Sequence, residues 1–245
     1  MEKTIFVIGD STTGLNPPSK RTGNKVSWAD VFSRHVPPAH ANYRNRAIPG
    51  YSSRDYFHRG ALDKVLAETK SGDILLVCHG HIEGTPLIRD SERARGCLPG
   101  VGEETVTVYD AFFKREEIIH TFGWYLRACY VRCQEQGVRP VFLSPPARNV
   151  WQGGLICRTK STGYAETMRE VCQTVGADFL DFGAIAATFL TKTGQPSASH
   201  FYLPDDTTHT NVHGAEVFAN LLASCLVEKF PMLFGQMLCP AAGSK

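Results

Sequence analysis

A serine near the start of the chain is the first residue whose type and position suggest chemistry. The apolar run Ile5-Phe6-Val7-Ile8 leads directly into Gly9-Asp10-Ser11. Such a run is typical of a buried parallel strand, which delivers the next polar residue to the carboxyl edge of a sheet. We therefore interpret Ser11 as a candidate nucleophile. A serine hydroxyl is a weak nucleophile at neutral pH, so it needs a general base and donors for the oxyanion that its attack on a carbonyl creates.

A candidate base lies near the other end of the chain, in Asp206-x-x-His209. With this separation in a turn, the Asp206 carboxylate can accept from one imidazole nitrogen of His209 while the other nitrogen faces Ser11. Such an aspartate holds the tautomer and stabilises the imidazolium that forms when histidine takes the serine proton. Gly-Asp-Ser by itself is a common tripeptide. Asp206 by itself could cap a helix, with His209 as a surface histidine beside it. Their combination favours a catalytic triad.

The elements that must position these residues alternate between apolar strands and helical patterns. This alternation predicts a three-layer α/β/α sandwich with a mostly parallel, five-stranded sheet. No linker or charge run divides the chain, so we expect one domain over residues 1–245. Residues 84–108 are predicted to form a long polar loop, and loops of that length are usually functional or mobile. Residues 109–136 are predicted to form a helix, and another is expected to run to about residue 70.

Several separated segments follow strands and should meet at one edge of the sheet, where open α/β sheets bind ligands. They include Gly50, the segment 80–83 and the loop that carries Arg148 and Trp151. We expect the substrate pocket to be formed by five side chains: Asp10, His81, Ile82, Arg148 and Trp151.

Composition excludes several classes of protein. The chain has 26 Lys and Arg against 24 Asp and Glu, with no concentrated basic patch, so we expect no nucleic-acid partner. No apolar run approaches the roughly 18 to 20 residues that cross a bilayer, so we expect no membrane partner. No signal-peptide pattern precedes the first strand, and as written the protein is expected in the cytoplasm, although a trimmed secreted precursor would look the same. The sequence does not indicate an oligomeric state.

The eight cysteines are interpreted mainly as core thiols. Cys78, Cys129, Cys133 and Cys172 lie in apolar segments, where reduced buried thiols are the ordinary state. Cys225 near the end of the last helix and a cysteine at position 239 in the tail could form a disulfide, which sequence alone cannot establish.

Four sequence blocks resemble those of the SGNH (GDSL) hydrolases, and the closest likeness, over nearly the whole chain, is to fungal rhamnogalacturonan acetylesterases. The blocks are Gly9-Asp10-Ser11-Thr12, Asn45-x-Ala47-x-x-Gly50, Gly80-His81-Ile82-Glu83-Gly84, and Asp206-x-x-His209 followed by Gly214-Ala215. Two intermediate segments, Val108-Tyr109-Asp110 and Asn149-x-Trp151, are also similar.

The resemblance implies a flavodoxin-like sandwich and an acyl-enzyme mechanism that needs no metal or cofactor. It implies a triad of Ser11, Asp206 and His209. It also implies three oxyanion donors: the amides of Ser11 and Gly50, and an asparagine side chain in the third block. Here Ile82 occupies the asparagine position and its side chain donates nothing. Losing one oxyanion donor typically costs about 100-fold to 1,000-fold in turnover.

Four functions stay open on the sequence. The leading one is an ester hydrolase that removes acetyl or another short acyl group from a small molecule or carbohydrate. The second is a biosynthetic enzyme that uses the same triad for acyl transfer, cyclisation or elimination, since an apolar Ile82 suits an aromatic or polyketide-like ligand. The third is a non-catalytic binding protein. The fourth is a metallohydrolase built on His79-x-His81 with Asp206 and His209. No Gly-x-Ser-x-Gly supports an α/β-hydrolase elbow.

Overall fold

Strands and helices alternate along the chain in the computed structural model, which describes residues 3–14, 24–88, 95–111, 113–158 and 162–240. The strands are β1 (Thr4–Gly9), β2 (Asn42–Asn45), β3 (Ile74–Cys78), β4 (Thr105–Asp110), β5 (Arg115–His120), β6 (Arg139–Leu143), β7 (Trp151–Gln152), β8 (Leu155–Ile156) and β9 (Asp178–Leu180). The helices are α1 (Trp28–Val31), α2 (Ser53–His58), α3 (Ala61–Leu66), α4 (Phe122–Glu135), α5 (Thr162–Val175), α6 (Phe182–Thr193), α7 (Gln195–Ser199), α8 (Val212–Lys229) and α9 (Pro231–Phe234). A 3-10 turn, Phe32–His35, follows α1.

The central sheet has five strands in the order β2-β1-β3-β6-β9, and every neighbouring pair in it is parallel. Successive side chains of a strand point to opposite faces, so each buried strand supplies two layers. Ile5 and Val7 belong to an apolar cluster with α1, α6 and α8, whereas Phe6 and Ile8 belong to a second cluster with helices α2 to α5. The predicted three-layer sandwich and five-stranded parallel sheet are confirmed.

Parallel pairing also sets where the functional loops begin. Gly9 at the end of β1 is in register with Cys78 at the end of β3, which is in register with Leu143 at the end of β6. The loops that follow these strands therefore leave the same edge of the sheet. None of the helices in the described part of the chain is both long and apolar enough to cross a membrane.

The prediction of a helix over residues 109–136 is wrong for residues 109–121. Strands β4 and β5 form an antiparallel hairpin, and α4 begins only at Phe122. The alternation of Thr and Val in β4 has a period of two, which places the valines against the core and the threonines in solvent. Thr121 then caps α4, because its hydroxyl accepts the backbone N–H of Trp124 at 3.0 Å.

Two further sequence expectations need correction. The helix expected to run to about residue 70 is divided into α2 and α3 by Gly60, whose φ of 64° is left-handed. Cys225 and Cys239 are not bonded to each other, so the disulfide considered between them is not formed. The four cysteines predicted as core thiols are buried.

Candidate active site

Ser11 lies half-buried in the turn that follows β1. Its hydroxyl oxygen Oγ is 2.8 Å from Nε2 of His209. The turn is held from both sides, since the carbonyl of Asp10 accepts the N–H of Thr13 at 3.1 Å and the carbonyl of Ser11 accepts the Ser27 hydroxyl at 2.6 Å. The serine is therefore presented by fixed backbone rather than by a free loop.

Asp206 and His209 share one short loop before α8. Oδ2 of Asp206 is 2.7 Å from Nδ1 of His209, while Oδ1 accepts the backbone N–H groups of Thr208 at 2.8 Å and of His209 at 3.1 Å. The loop is anchored because the carbonyl of Thr210 accepts the N–H of Val26 at 3.1 Å. Both oxygens of the carboxylate thus orient the histidine.

These contacts fix the tautomer of His209. An ionised carboxylate only accepts, so Nδ1 must donate to Asp206 and Nε2 offers its lone pair to the Ser11 hydroxyl. Burial lowers the pKa of His209, against the opposing effect of Asp206, and favours the neutral imidazole that a general base requires. Burial disfavours the charged form of Asp206, but the hydrogen bonds from Thr208 and His209 hold its pKa below the ordinary value.

The backbone N–H groups of Ser11 and Gly50 donate no hydrogen bond to any of the residues that the structure describes. Gly50 follows β2 in the turn Ile48 to Tyr51 and has a φ of 76°, a conformation that glycine adopts without strain. The start of this turn is bound to the end of β1, because the N–H of Ile48 donates to the carbonyl of Gly9 at 2.9 Å. Gly50 therefore lies beside the start of the Ser11 turn.

Ile82 provides no donor from either its side chain or its backbone. Its N–H donates to Oε2 of Glu83 at 3.1 Å, and Oε1 of the same carboxylate accepts the N–H of Ser53 at 2.9 Å. Glu83 is only 1% exposed, and burial raises its pKa to about 7 despite these hydrogen bonds. Glu83 thus ties the segment after β3 to the first turn of α2.

Asp10 was expected in the substrate pocket, but it is only 1% exposed and organises the turn instead. Its Oδ1 accepts both the N–H and the hydroxyl of Thr12 at 2.8 Å. Since the hydroxyl proton is used there, Thr12 Oγ1 accepts from Nδ1 of His81 at 3.0 Å. Burial lowers the pKa of His81 to about 4, so this imidazole is neutral at pH 7.

The loop that carries Arg148 and Trp151 contacts the candidate site by a backbone hydrogen bond. The N–H of Asn149 donates to the carbonyl of Thr207 at 2.7 Å, which places the loop against the Asp206–His209 segment. The positive charge of Arg148 contributes to the lowered pKa of His81, so the two residues are close. Trp151 is half-buried and its indole N–H donates to Oδ1 of Asn149 at 2.7 Å.

Lys25 is a residue of the site that the sequence did not reveal. Burial lowers its pKa, and Asp206 and Asp10 act in the opposite direction. Its charge in turn lowers the pKa of His209. An isolated lysine in a polar segment gives no sequence signal of a functional role. The pairing of Val26 with Thr210 in the structure is what brings Lys25 beside Asp206 and His209.

The His79-x-His81 pair does not form a metal-ligand cluster with the triad. His79 packs edge-on against Tyr56, with ring centroids 5.0 Å apart, whereas His81 contacts Thr12. Within the described ranges, no group of three or more His, Cys, Asp or Glu side chains is placed to hold a metal ion.

A parallel α/β/α sandwich with serine, histidine and aspartate linked in series at its carboxyl edge defines an SGNH hydrolase, a carboxylic ester hydrolase of the GDSL type. No protein-family model matches the chain. It is 30% identical over 230 residues to a rhamnogalacturonan acetylesterase of Emericella nidulans, a match that covers 93% of this chain and 86% of that protein. The chain therefore belongs to the rhamnogalacturonan acetylesterase family of SGNH hydrolases.

Solved structures show the same fold. The protein YxiM of Bacillus subtilis superposes with a TM-score of 0.72 at 20% identity, over 94% of this chain and 57% of that longer one. A catalytic variant of an acetylxylan esterase from Geobacillus stearothermophilus superposes with a TM-score of 0.57 at 17% identity, over 91% of this chain and 94% of that one.

Proposed function

We propose that the protein hydrolyses acetyl or other short acyl esters of a carbohydrate or small molecule through an acyl-enzyme on Ser11. The observation that carries the proposal is the hydrogen-bonded series from Ser11 through His209 to Asp206, at 2.8 and 2.7 Å. The Emericella relative is a rhamnogalacturonan acetylesterase, which supports acetyl as the acyl group.

In the acylation step, the Ser11 oxygen attacks the acyl carbonyl carbon while its proton passes to Nε2 of His209. The carbonyl π electrons move onto oxygen, and the amides of Ser11 and Gly50 donate to that oxyanion. Collapse of the tetrahedral intermediate breaks the bond to the alcohol oxygen, which takes the proton from His209. Asp206 stabilises the imidazolium throughout.

Deacylation reverses these roles with water in place of the alcohol. His209 takes a proton from water, whose oxygen attacks the acyl carbon, and the second intermediate expels the Ser11 oxygen, which regains its proton from His209. Neither step requires a metal or cofactor, so the proposal invokes none.

We further propose that the oxyanion hole has two donors rather than three. Ile82 replaces the asparagine of the family block, and its own N–H is occupied by Glu83. A donor typically contributes about 100-fold to 1,000-fold in turnover, so the intrinsic rate on simple esters should be modest.

The same feature favours a second candidate function. An apolar side chain in place of the family asparagine suits an aromatic or polyketide-like ligand, and the triad could then serve acyl transfer to an acceptor alcohol, cyclisation or elimination. Product analysis separates the candidates, since hydrolysis incorporates one oxygen of ¹⁸O-labelled water into the released acid and transfer does not.

The test of the leading proposal is an intact-mass spectrum after incubation with a fluorophosphonate, together with turnover of an aryl acetate. We expect one adduct per chain, mapped to Ser11, and acetate release that Ser11→Ala abolishes without a change in the unfolding transition. An alanine variant that keeps most of the turnover would contradict covalent catalysis and favour general-base attack of water by His209.

A further inference from the structure

The oxyanion donor on Gly50 belongs to a defined turn. Residues Ile48 to Tyr51 form a β-turn closed by the N–H of Tyr51, which donates to the carbonyl of Ile48 at 3.1 Å. Pro49 and the positive φ of Gly50 are the residues that a type II turn selects at its two central positions. Type I and type II turns differ by a rotation of the central peptide, and here that peptide carries the Gly50 N–H. The Gly50 N–H therefore keeps its direction only while the turn keeps its type II form.

Arg95 contacts this turn directly. Its Nη1 donates to the carbonyl oxygen of Gly50 at 2.6 Å, and its side chain is mostly buried. A Cβ built on Gly50 would lie 2.3 Å from the same Nη1, so the guanidinium occupies the space beside the glycine. The Nε of Arg95 lies 3.7 Å from the buried carboxylate of Asp55, which also pairs with Arg59 at 2.9 Å.

The residues after Gly50 are anchored as well. Asp55 accepts the N–H of Ser52 at 3.2 Å, and Glu83 accepts the N–H of Ser53 at 2.9 Å. Arg54 is fully buried and donates to the carbonyls of residues 87 and 96, each at 2.9 Å, and to both oxygens of Glu117. Residues 83, 87 and 96 provide three of these anchors, and Arg95 directly precedes the last of them.

We propose that Arg95 is a positioning residue that holds Gly50 so that its N–H stays aimed at the oxyanion. This inference rests on the proposed function, because it assigns a role to the oxyanion hole. With the third family donor absent, each remaining donor carries a larger share of oxyanion stabilisation. The oxyanion that the Gly50 N–H stabilises forms only as the transition state is reached, so loss of the guanidinium that holds Gly50 should affect chemistry more than substrate binding.

The test compares Arg95→Met with Arg59→Met on an aryl acetate. Both arginines pair with Asp55, but only Arg95 contacts Gly50, so Arg59 is the matched control for damage to the shared ion pair. We expect Arg95→Met to lower kcat by roughly 10-fold to 100-fold, with KM changed less than about threefold. Arg95→Lys, which keeps a cationic donor, should recover part of the loss. Arg59→Met should change kcat by less than about threefold.

A second measurement uses an aryl trifluoromethyl ketone, whose adduct with Ser11 carries an oxyanion. Its inhibition constant should rise by the same factor as kcat falls in Arg95→Met, and urea unfolding confirms that the variants are folded. One outcome is a wild type that is labelled by fluorophosphonate and active, with an Arg95→Met variant of the same kcat and the same inhibition constant. In that case the positioning role is wrong and the proposed function stands. A wild type that is neither labelled nor active would overturn the proposed function and, with it, the role of Arg95.

Discussion

The hydroxyl oxygen of Ser11 lies 2.8 Å from Nε2 of His209, although 198 residues separate the two in sequence. Parallel pairing of β1 with its neighbours places Ser11 at the carboxyl edge, and the pairing of residue 26 with residue 210 brings the histidine loop to the same edge. The arrangement of Ser11 and His209 is thus a product of sheet topology.

Asp206→Asn should lower kcat by about 10³-fold to 10⁴-fold, since an amide can hold His209 in the wrong tautomer and cannot stabilise its cation. The neighbouring Asp205 is exposed and supplies the matched control. Its φ of 59° is one that asparagine also tolerates, so Asp205→Asn should keep wild-type turnover. Aryl acetate kinetics on both variants check the prediction, and an Asp206→Asn enzyme that retains more than a tenth of kcat would argue against a triad.

Lys25→Met should move the acid limb of the pH–rate profile to higher pH. His209 must be neutral to act as a base, so activity rises as pH increases through its pKa. The charge of Lys25 helps to lower that pKa, so its removal should raise the pKa of His209.

The profile of kcat/KM between pH 4 and 8 measures this shift. Lys25→Arg keeps the charge and should leave the limb in place. A limb that stays fixed, or moves to lower pH, in Lys25→Met would show that Lys25 does not influence His209.

The hydrogen-bonded arrangement of Ser11, His209 and Asp206 was predictable because its sequence signals are local. Ser11 follows an apolar strand, and Asp206 and His209 share one turn, so strand topology alone could bring them together. The hairpin β4–β5 was missed because period-two alternation over six residues competes with a helical pattern that does continue in α4. The three-layer sandwich could be predicted from the sequence because each buried strand is a continuous apolar run.

The supporting charges were not predictable from the sequence. Arg95 and Lys25 lie in polar segments where any arginine or lysine looks solvated, and their partners are set by tertiary contacts such as the one to the Gly50 carbonyl. Asp10 was expected in the substrate pocket. The fold instead buries it to hold Thr12, a distinction that no spacing encodes.

His79→Phe should make the free energy of unfolding fall less steeply as the pH drops into the acid range. Burial lowers the pKa of His79 to about 4, below the ordinary value of 6.5, so the unfolded state binds more protons between these two pH values. The free energy of unfolding must therefore fall as pH drops through that window, by roughly 2 to 3 kcal/mol for this group. Neither ring nitrogen of His79 has a hydrogen-bond partner among the described residues, and the ring packs edge-on against Tyr56, so phenylalanine preserves the contact.

Urea unfolding of His79→Phe from pH 4 to 7 gives the slope directly. The exposed His40 provides the control, because His40→Gln leaves the buried imidazole in place and should keep the wild-type slope. An unchanged slope in His79→Phe would mean that other groups govern the acid sensitivity.

Ile82→Asn tests whether the position that departs from the family block limits hydrolysis. If the amide reaches the oxyanion, the rate on an aryl acetate should rise by up to about 100-fold, since a third donor is restored. Ile82→Val keeps the site apolar and should leave the rate near wild type. If Ile82 instead shapes an apolar pocket for a non-hydrolytic reaction, the asparagine adds an unsatisfied polar group at a cost of roughly 1 to 3 kcal/mol. Ester turnover and thermal unfolding measured together decide: a faster enzyme supports the esterase, whereas a destabilised protein with no gain in ester cleavage supports acyl transfer, cyclisation or elimination.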